Sequence, residues 1–132
     1  MKYDEQQILT QYVWQHCFEQ MTHLEKRVWK TIAAREKTAA THDEKIKQYL
    51  LQKFGAENDP KVVAALANGH EAFRIATKNR ILRDRPDVVN RCPKCKRVAR
   101  TPQAKQCRWC YYDWHKPFPL AIALWKRIFV AA

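Results

Sequence analysis

Serine is absent from this 132-residue chain, and glycine occurs only twice, at Gly55 and Gly69. The first absence removes a serine nucleophile. The second removes a phosphate-cradling loop, which needs several glycines within a few residues. With 46% hydrophobic residues, so little glycine also favours a helical globular protein over a β-rich or disordered one. Acids are scarce: 13 stand against 25 lysines and arginines, for a formal charge of +12. No apolar run reaches the roughly 18 residues of a membrane helix. The nearest candidate, residues 120–132, is too short and carries Lys126 and Arg127. Residues 1–7 lack the apolar core of an export signal, so a cytoplasmic protein with reduced thiols and no membrane partner is expected. The acids are scattered, and the one thiol beside histidines, Cys17 near His16 and His23, sits on an apolar helical stripe. No enzyme and no small-molecule substrate are expected.

The chain does have two cysteine pairs, Cys92-Pro93-Lys94-Cys95 and Cys107-Arg108-Trp109-Cys110, separated by eleven residues. Each CxxC turn aims two sulfurs at one point, and the stretch between the pairs is long enough for a small hairpin that returns the second pair to the first. Two disulfides would require an oxidising compartment, and a thioredoxin-like site leaves the second pair unexplained. Four thiolates complete a tetrahedron and leave no open position for catalysis. One structural Zn²⁺ held by Cys92, Cys95, Cys107 and Cys110 is the reading, with Cys17 a small buried hydrophobe and the histidines uncoordinated.

The run from Cys92 to Val98, followed by Lys105 to Cys110, resembles the short zinc-ribbon superfamily, in which CPxC and CxxC knuckles flank a β-hairpin. The resemblance covers only the C-terminal segment and implies a ribbon there. It does not choose among nucleic-acid binding, protein binding and structural stapling. Members usually carry glycine just after each knuckle. Lys96 and Tyr111 stand there in this chain, so the left-handed turn is either made at a cost or shifted.

The positive charge is concentrated. Between Arg74 and Arg108 lie twelve basic residues and two acids, Asp84 and Asp87; four thiolates on Zn²⁺ subtract about two charges from the total. Such concentration is the electrostatic footprint of a face that binds a polyanion. The plain alternative is a solvated basic surface. Lys94, Lys96, Arg97, Arg100, Lys105 and Arg108 are the candidate contacts; Trp109, Tyr111, Tyr112 or Trp114 offers a stacking surface, with Trp109 expected to be exposed. Trp114 is assigned to covering the zinc site.

The remainder reads as helix. Leu9, Val13, Cys17, Met21, Leu24, Val28 and Ile32 recur at steps of three and four, which predicts one long helix over about 4–38. Thr41-His42-Asp43-Glu44 has the capping-box pattern and opens a second helix, with Ile46, Tyr49, Leu50 and Phe54 as its core face and Gly55 as its stop. Asp59-Pro60 opens a third, which Asn68-Gly69 either breaks or lets a neighbour approach, and which Pro86 ends. Its stripe is Val62, Leu66, Gly69, Phe73 and Ala76. No internal repeat is visible. The expected fold is mainly α: a bundle of three to four helices over 1–85, a four-cysteine zinc ribbon with a β-hairpin over 86–116, and a short helix over 117–132 docking on the bundle. The expected partner is nucleic acid, DNA or RNA, with an acidic protein partner of an adaptor or inhibitor as the alternative.

Overall fold

The computed structural model describes residues 2–54 and 59–115. The chain divides into two compact units, Met1–Val88 and Val89–Ala132. The expected stop at Gly55, the side chain of Phe54 and the helix expected over 117–132 lie outside the described residues.

Among the described residues, the regular structure of the first unit is helical. Helix α1, Glu5–His16, starts where Asp4 accepts a hydrogen bond from the Gln7 N–H at 3.2 Å. The single helix expected over 4–38 is interrupted: a 3₁₀ turn covers Phe18–Gln20, and α2 runs from His23 to Ala40. The cause is a second capping box. Thr22 Oγ1 accepts from the Glu25 N–H at 3.2 Å, and Glu25 Oε1 accepts from the Thr22 N–H at 2.8 Å. These bonds give the free N–H groups of a new first turn their partners, and so they favour a restart over continuation. The apolar period survives the break because both helices face one core. Leu9, Val13, Cys17, Met21, Val28 and Ile32 are all buried.

Helix α3, Glu44–Phe54, is capped by Asp43 rather than by Thr41, with Asp43 Oδ1 accepting from the Lys45 N–H at 2.9 Å. Thr41 instead closes α2, its N–H donating to the Lys37 carbonyl. The core face expected for α3 is only partly covered: Leu50 is half-buried, while Ile46 and Tyr49 are exposed. Helix α4, Pro60–Ala65, begins on Asp59 with proline at its first position, as its sequence predicts. Gly69, at φ +95°, then separates it from α5, His70–Asp84. That left-handed value is cheap only for glycine, so Asn68-Gly69 breaks the segment. Two expected helices are thus four shorter ones.

Helix α2 packs against α3 and α4, and α1 against α5. Val28, Ile32 and Val62 are fully buried at the centre, surrounded by Trp14, Leu24, Leu66 and Phe73. Burial of each such aliphatic side chain contributes about 1.5–3 kcal/mol. The Trp29 Nε1–H donates to the Trp14 carbonyl at 3.0 Å, which ties α2 to α1 through a polar bond inside an aromatic cluster. On α5 the buried side chains are Thr77, Lys78 and Ile81, one step round from the expected Ala76, which is exposed.

Arg80 of α5 organises the corner between α1 and α2. Its guanidinium donates to both Glu25 oxygens at 2.7 and 2.6 Å, to Asp84 at 2.9 Å and to the Gln20 carbonyl at 3.0 Å. Glu25 therefore caps α2 and holds α5 at once. Removing the guanidinium strands a mostly buried carboxylate, and Arg80→Met is expected to cost about 2 kcal/mol. The check is thermal unfolding followed at 222 nm, with an expected drop on the order of 10 °C.

Candidate metal centre

The second unit brings its four cysteines together. All four sulfurs lie within 4.8 Å of one another, with Cys92 Sγ 3.7 Å from Cys110 Sγ and Cys95 Sγ 3.6 Å from Cys107 Sγ. A Zn–S bond of about 2.3 Å puts tetrahedral sulfurs about 3.8 Å apart, so the cluster fits the ion. No disulfide joins them. Cys92 and Cys107 are buried, and Cys95 and Cys110 are half-buried. Cys17, in the helical unit, is buried and does not belong to the cluster; burial alone raises its thiol pKa.

Each knuckle is built by the same backbone bonds. In the first, the Lys96 N–H donates to the Cys92 carbonyl at 2.9 Å, the Cys92 N–H to the Arg97 carbonyl at 2.9 Å, and the Ala99 N–H to the Asn90 carbonyl at 2.7 Å. In the second, the Tyr111 N–H donates to the Cys107 carbonyl at 3.0 Å, the Cys107 N–H to the Tyr112 carbonyl at 2.8 Å, and the Trp114 N–H to the Lys105 carbonyl at 2.8 Å. The two sets are offset by a constant fifteen positions, so residues 90–99 and 105–114 form a backbone repeat that only the cysteines mark in the sequence. Even the clamp repeats: Arg91 donates to the Lys96 carbonyl at 3.0 Å, and Gln106 to the Tyr111 carbonyl at 3.5 Å.

The expected hairpin between the knuckles is not formed. Among the described residues the only β pairing is two isolated antiparallel bridges, Arg91 with Val98 and Gln106 with Asp113, and each closes one knuckle on itself. Residues 99–104 form a turn, with the Ala104 N–H donating to the Thr101 carbonyl at 3.2 Å. Asn90 Nδ2 pins that turn by donating to the Thr101 and Ala104 carbonyls, both at 2.9 Å. Pro102 cannot donate to a ladder, and the six residues before it and four after it between the knuckles leave no room for two paired strands. Asn90 was not among the residues singled out from sequence, since a lone asparagine in a connector carries no spacing signal.

The turns at Lys96 and Tyr111 are made, not shifted. These are the only non-glycine residues with positive φ among those described, at 65° and 64°. Each places its N–H on the carbonyl of the knuckle's first cysteine, at a conformational cost of about 1–2 kcal/mol per residue.

The same geometry prepares the sulfurs. Burial pushes the Cys107 thiol up, but the Cys110 and Trp109 N–H groups, donating at 3.4 and 3.3 Å, and the neighbouring thiols outweigh it and bring its pKa down to about 6. Cys92 is lowered in the same way: burial is outweighed by the Cys95 and Lys94 N–H groups and by the Cys110 and Cys95 thiols. For Cys95 the Arg97 N–H lowers the pKa, yet burial and the other three sulfurs raise it to about 11. Cys92 and Cys107, the leading cysteines, are thus readier thiolates than Cys95. A divalent ion is what allows all four to ionise together, and it would supply structural cross-linking rather than reaction chemistry.

The other candidate residues separate. Arg100, Lys105 and Arg108 line one cleft of ≈ 460 Å³, together with Gln103, Tyr111 and His115. Lys94 lies elsewhere, its Nζ 5.9 Å from the centre of the Tyr112 ring, which stacks on Trp114 at 6.3 Å. Lys96 and Arg97 are exposed and do not line the cleft. Trp109, expected to be exposed, is half-buried with its Nε1 enclosed and the Arg108 guanidinium 5.1 Å above its ring. Tyr111 is the exposed ring instead, at 74%. No family model, no curated protein and no solved structure matches the chain.

Full-length protein is expected to carry one zinc per chain by elemental analysis. Cobalt substitution is expected to give the thiolate charge-transfer and tetrahedral d–d bands of an S₄ site. Cys92→Ser and Cys107→Ser are each expected to lose the metal, and Cys17→Ala to keep it. Structural zinc contributes an apparent ~10–16 kcal/mol in comparable peptides, so strong chelation is expected to unravel residues 89–115 while the helical signal at 222 nm largely persists.

Proposed function

We propose that the second unit is a zinc-ribbon-type module that binds nucleic acid, with its zinc purely structural and no catalytic role. The observation that carries this reading is the distribution of paired charge. In the helical unit the arginines are engaged: Arg80 by Glu25 and Asp84, Arg74 by Glu36 and Glu71, Arg85 by Asp87, and Arg27 by Asp59. The second unit has seven basic residues and one acid over 89–115, and that acid, Asp113, accepts hydrogen bonds from the His115 backbone and ring. The excess positive charge therefore belongs to the cysteine module, and the helix preceding it contributes little. This narrows the basic face expected over Arg74–Arg108 to its later half.

Phosphates are the natural counter-charge for three cations along one cleft with no carboxylate in its lining. A zinc-braced loop holds those cations without the entropy loss of ordering a flexible arm. The competing partner is an acidic protein. Nuclease separates the two, since capture of an acidic protein that survives digestion favours the adaptor reading. Among the described residues no helix is long and apolar enough to cross a membrane. Reduced, metal-binding thiols suit the cytoplasm.

The triple variant Arg100→Gln, Lys105→Gln, Arg108→Gln is expected to keep its zinc and helicity. Its affinity for nucleic acid should fall, and the slope of log affinity against log salt should shrink by about 2, at roughly 0.7 per lost contact to a single strand. Arg74→Gln is expected to leave both affinity and slope unchanged. Absence of binding by the wild-type protein to DNA or RNA at low salt would overturn the reading.

A further inference from the structure

We infer that the cleft beside the second knuckle is a subsite for single-stranded nucleic acid, in which Tyr111 stacks on an unpaired base and Arg100, Lys105 and Arg108 hold the adjoining phosphates. This rests on the nucleic-acid reading above and specifies its substrate. The first observation is the cleft itself. At ≈ 460 Å³ it has the capacity of a small-ligand site; its lining holds three cations and no carboxylate, and its one acidic group is the Cys107 thiol, which belongs to the sulfur cluster. Arg100 and Lys105 form no ion pair among the described residues, and Arg108 faces the Trp109 ring rather than an acid.

The second observation is independent and concerns Tyr111. Its backbone is left-handed at φ 64°, a conformation that glycine adopts freely and a tyrosine adopts at a cost of about 1–2 kcal/mol. Packing does not offset that cost, because the side chain is 74% exposed. The knuckle needs only the backbone here: the N–H that bonds to Cys107 and the carbonyl that accepts from Gln106. The knuckle imposes the same left-handed turn on Lys96, so what sets Tyr111 apart is an exposed aromatic side chain that the fold does not use, standing in the lining of a cationic cleft. An aromatic face in such a lining is a stacking platform.

Strandedness follows from these two together. In a duplex the faces of the bases are already stacked on one another, so a duplex could satisfy the cations and leave the ring bare. An unpaired nucleotide presents its phosphate and its base face at once. An acidic peptide would likewise meet the cations without using the ring. The site is therefore expected to tolerate any base sequence, because every base has a face.

Tyr111→Gly isolates the ring from the fold, since glycine relieves the strained turn. The zinc-loaded full chain would be titrated into a labelled twelve-nucleotide oligothymidine and oligouridine, with unlabelled single strands and hairpin duplexes as competitors. Wild-type protein is expected to prefer the single strand about tenfold or more over duplex of equal phosphate number. Tyr111→Gly is expected to keep full zinc content with equal or higher resistance to chelation. It should bind single strands about tenfold or more weakly, the range of one lost base–aromatic stack. The salt slope should be unchanged, and Tyr111→Trp should restore affinity. Equal competition by duplex, or wild-type affinity in Tyr111→Gly, would overturn this subsite while leaving nucleic-acid binding in place. No binding to any nucleic acid at low salt would overturn both.

Discussion

Convergence of four sulfurs within 4.8 Å is the constraint on which the second unit depends. Residues 89–115 bury little apart from Cys92, Val98, Ala99 and Cys107, far too few groups to stabilise a fold by apolar burial alone. The cluster is one that a metal ion could hold, so metal–thiolate bonds would replace the missing core, and the backbone is arranged to suit them. Each knuckle directs N–H groups at its leading sulfur, closes through one antiparallel bridge, and makes its turn in the left-handed region. The two halves are alike because each must solve one problem, presenting a pair of sulfurs to a common point. The offset of fifteen positions is the length of chain needed to bring the second solution to face the first. Asn90 shortens the remaining slack by holding the connecting turn.

Electrostatics divides the chain differently from the way composition does. The arginines of α5 look, in sequence, like the start of a basic face. In the folded unit Arg80 holds α2 and the turn before it, and Arg74 reaches Glu36 of α2. Besides the local partners Glu71 and Asp84, these arginines meet Glu36 and Glu25, 38 and 55 positions earlier in the chain and outside the Arg74–Arg108 stretch. In the cysteine module the opposite holds: charge is dense, acids are nearly absent, and the cations stand at the surface of a braced loop. A tetrathiolate zinc site would carry about two negative charges for these cations to offset in part, and three of the cations line a cleft open to solvent.

Tyr111 and Lys96 join the structural and functional readings. Equivalent positions in the two halves, both strained, show that the turn is imposed by the cluster and not by the residue occupying it. The two side chains then diverge. Tyr111 borders a cationic cleft and Lys96 does not. That asymmetry on a symmetric backbone is where the two knuckles acquire different roles.

The sequence by itself determined which four cysteines come together as a candidate metal site, because CxxC spacing is a local geometric property that any fold of the segment must respect. It also determined the helical character of the described residues within 1–85 and most of the buried stripe from Leu9 to Ile32, since periodicity reports which side faces apolar surroundings. Periodicity does not report continuity, however. The Thr22–Glu25 box lay in plain view with the same pattern as Thr41–Glu44, yet it was the former that capped a helix and the latter that yielded to Asp43. Which box forms depends on where the chain must turn to keep its apolar face on the core, and only tertiary packing settles that. The exposure of Ile46 and Tyr49, the enclosure of the Trp109 ring nitrogen, and the pairing of Arg74 and Arg80 with distant acids were decided in the same way. Each depends on which distant residue arrives beside it, a quantity fixed by three-dimensional packing and absent from any local stretch of sequence.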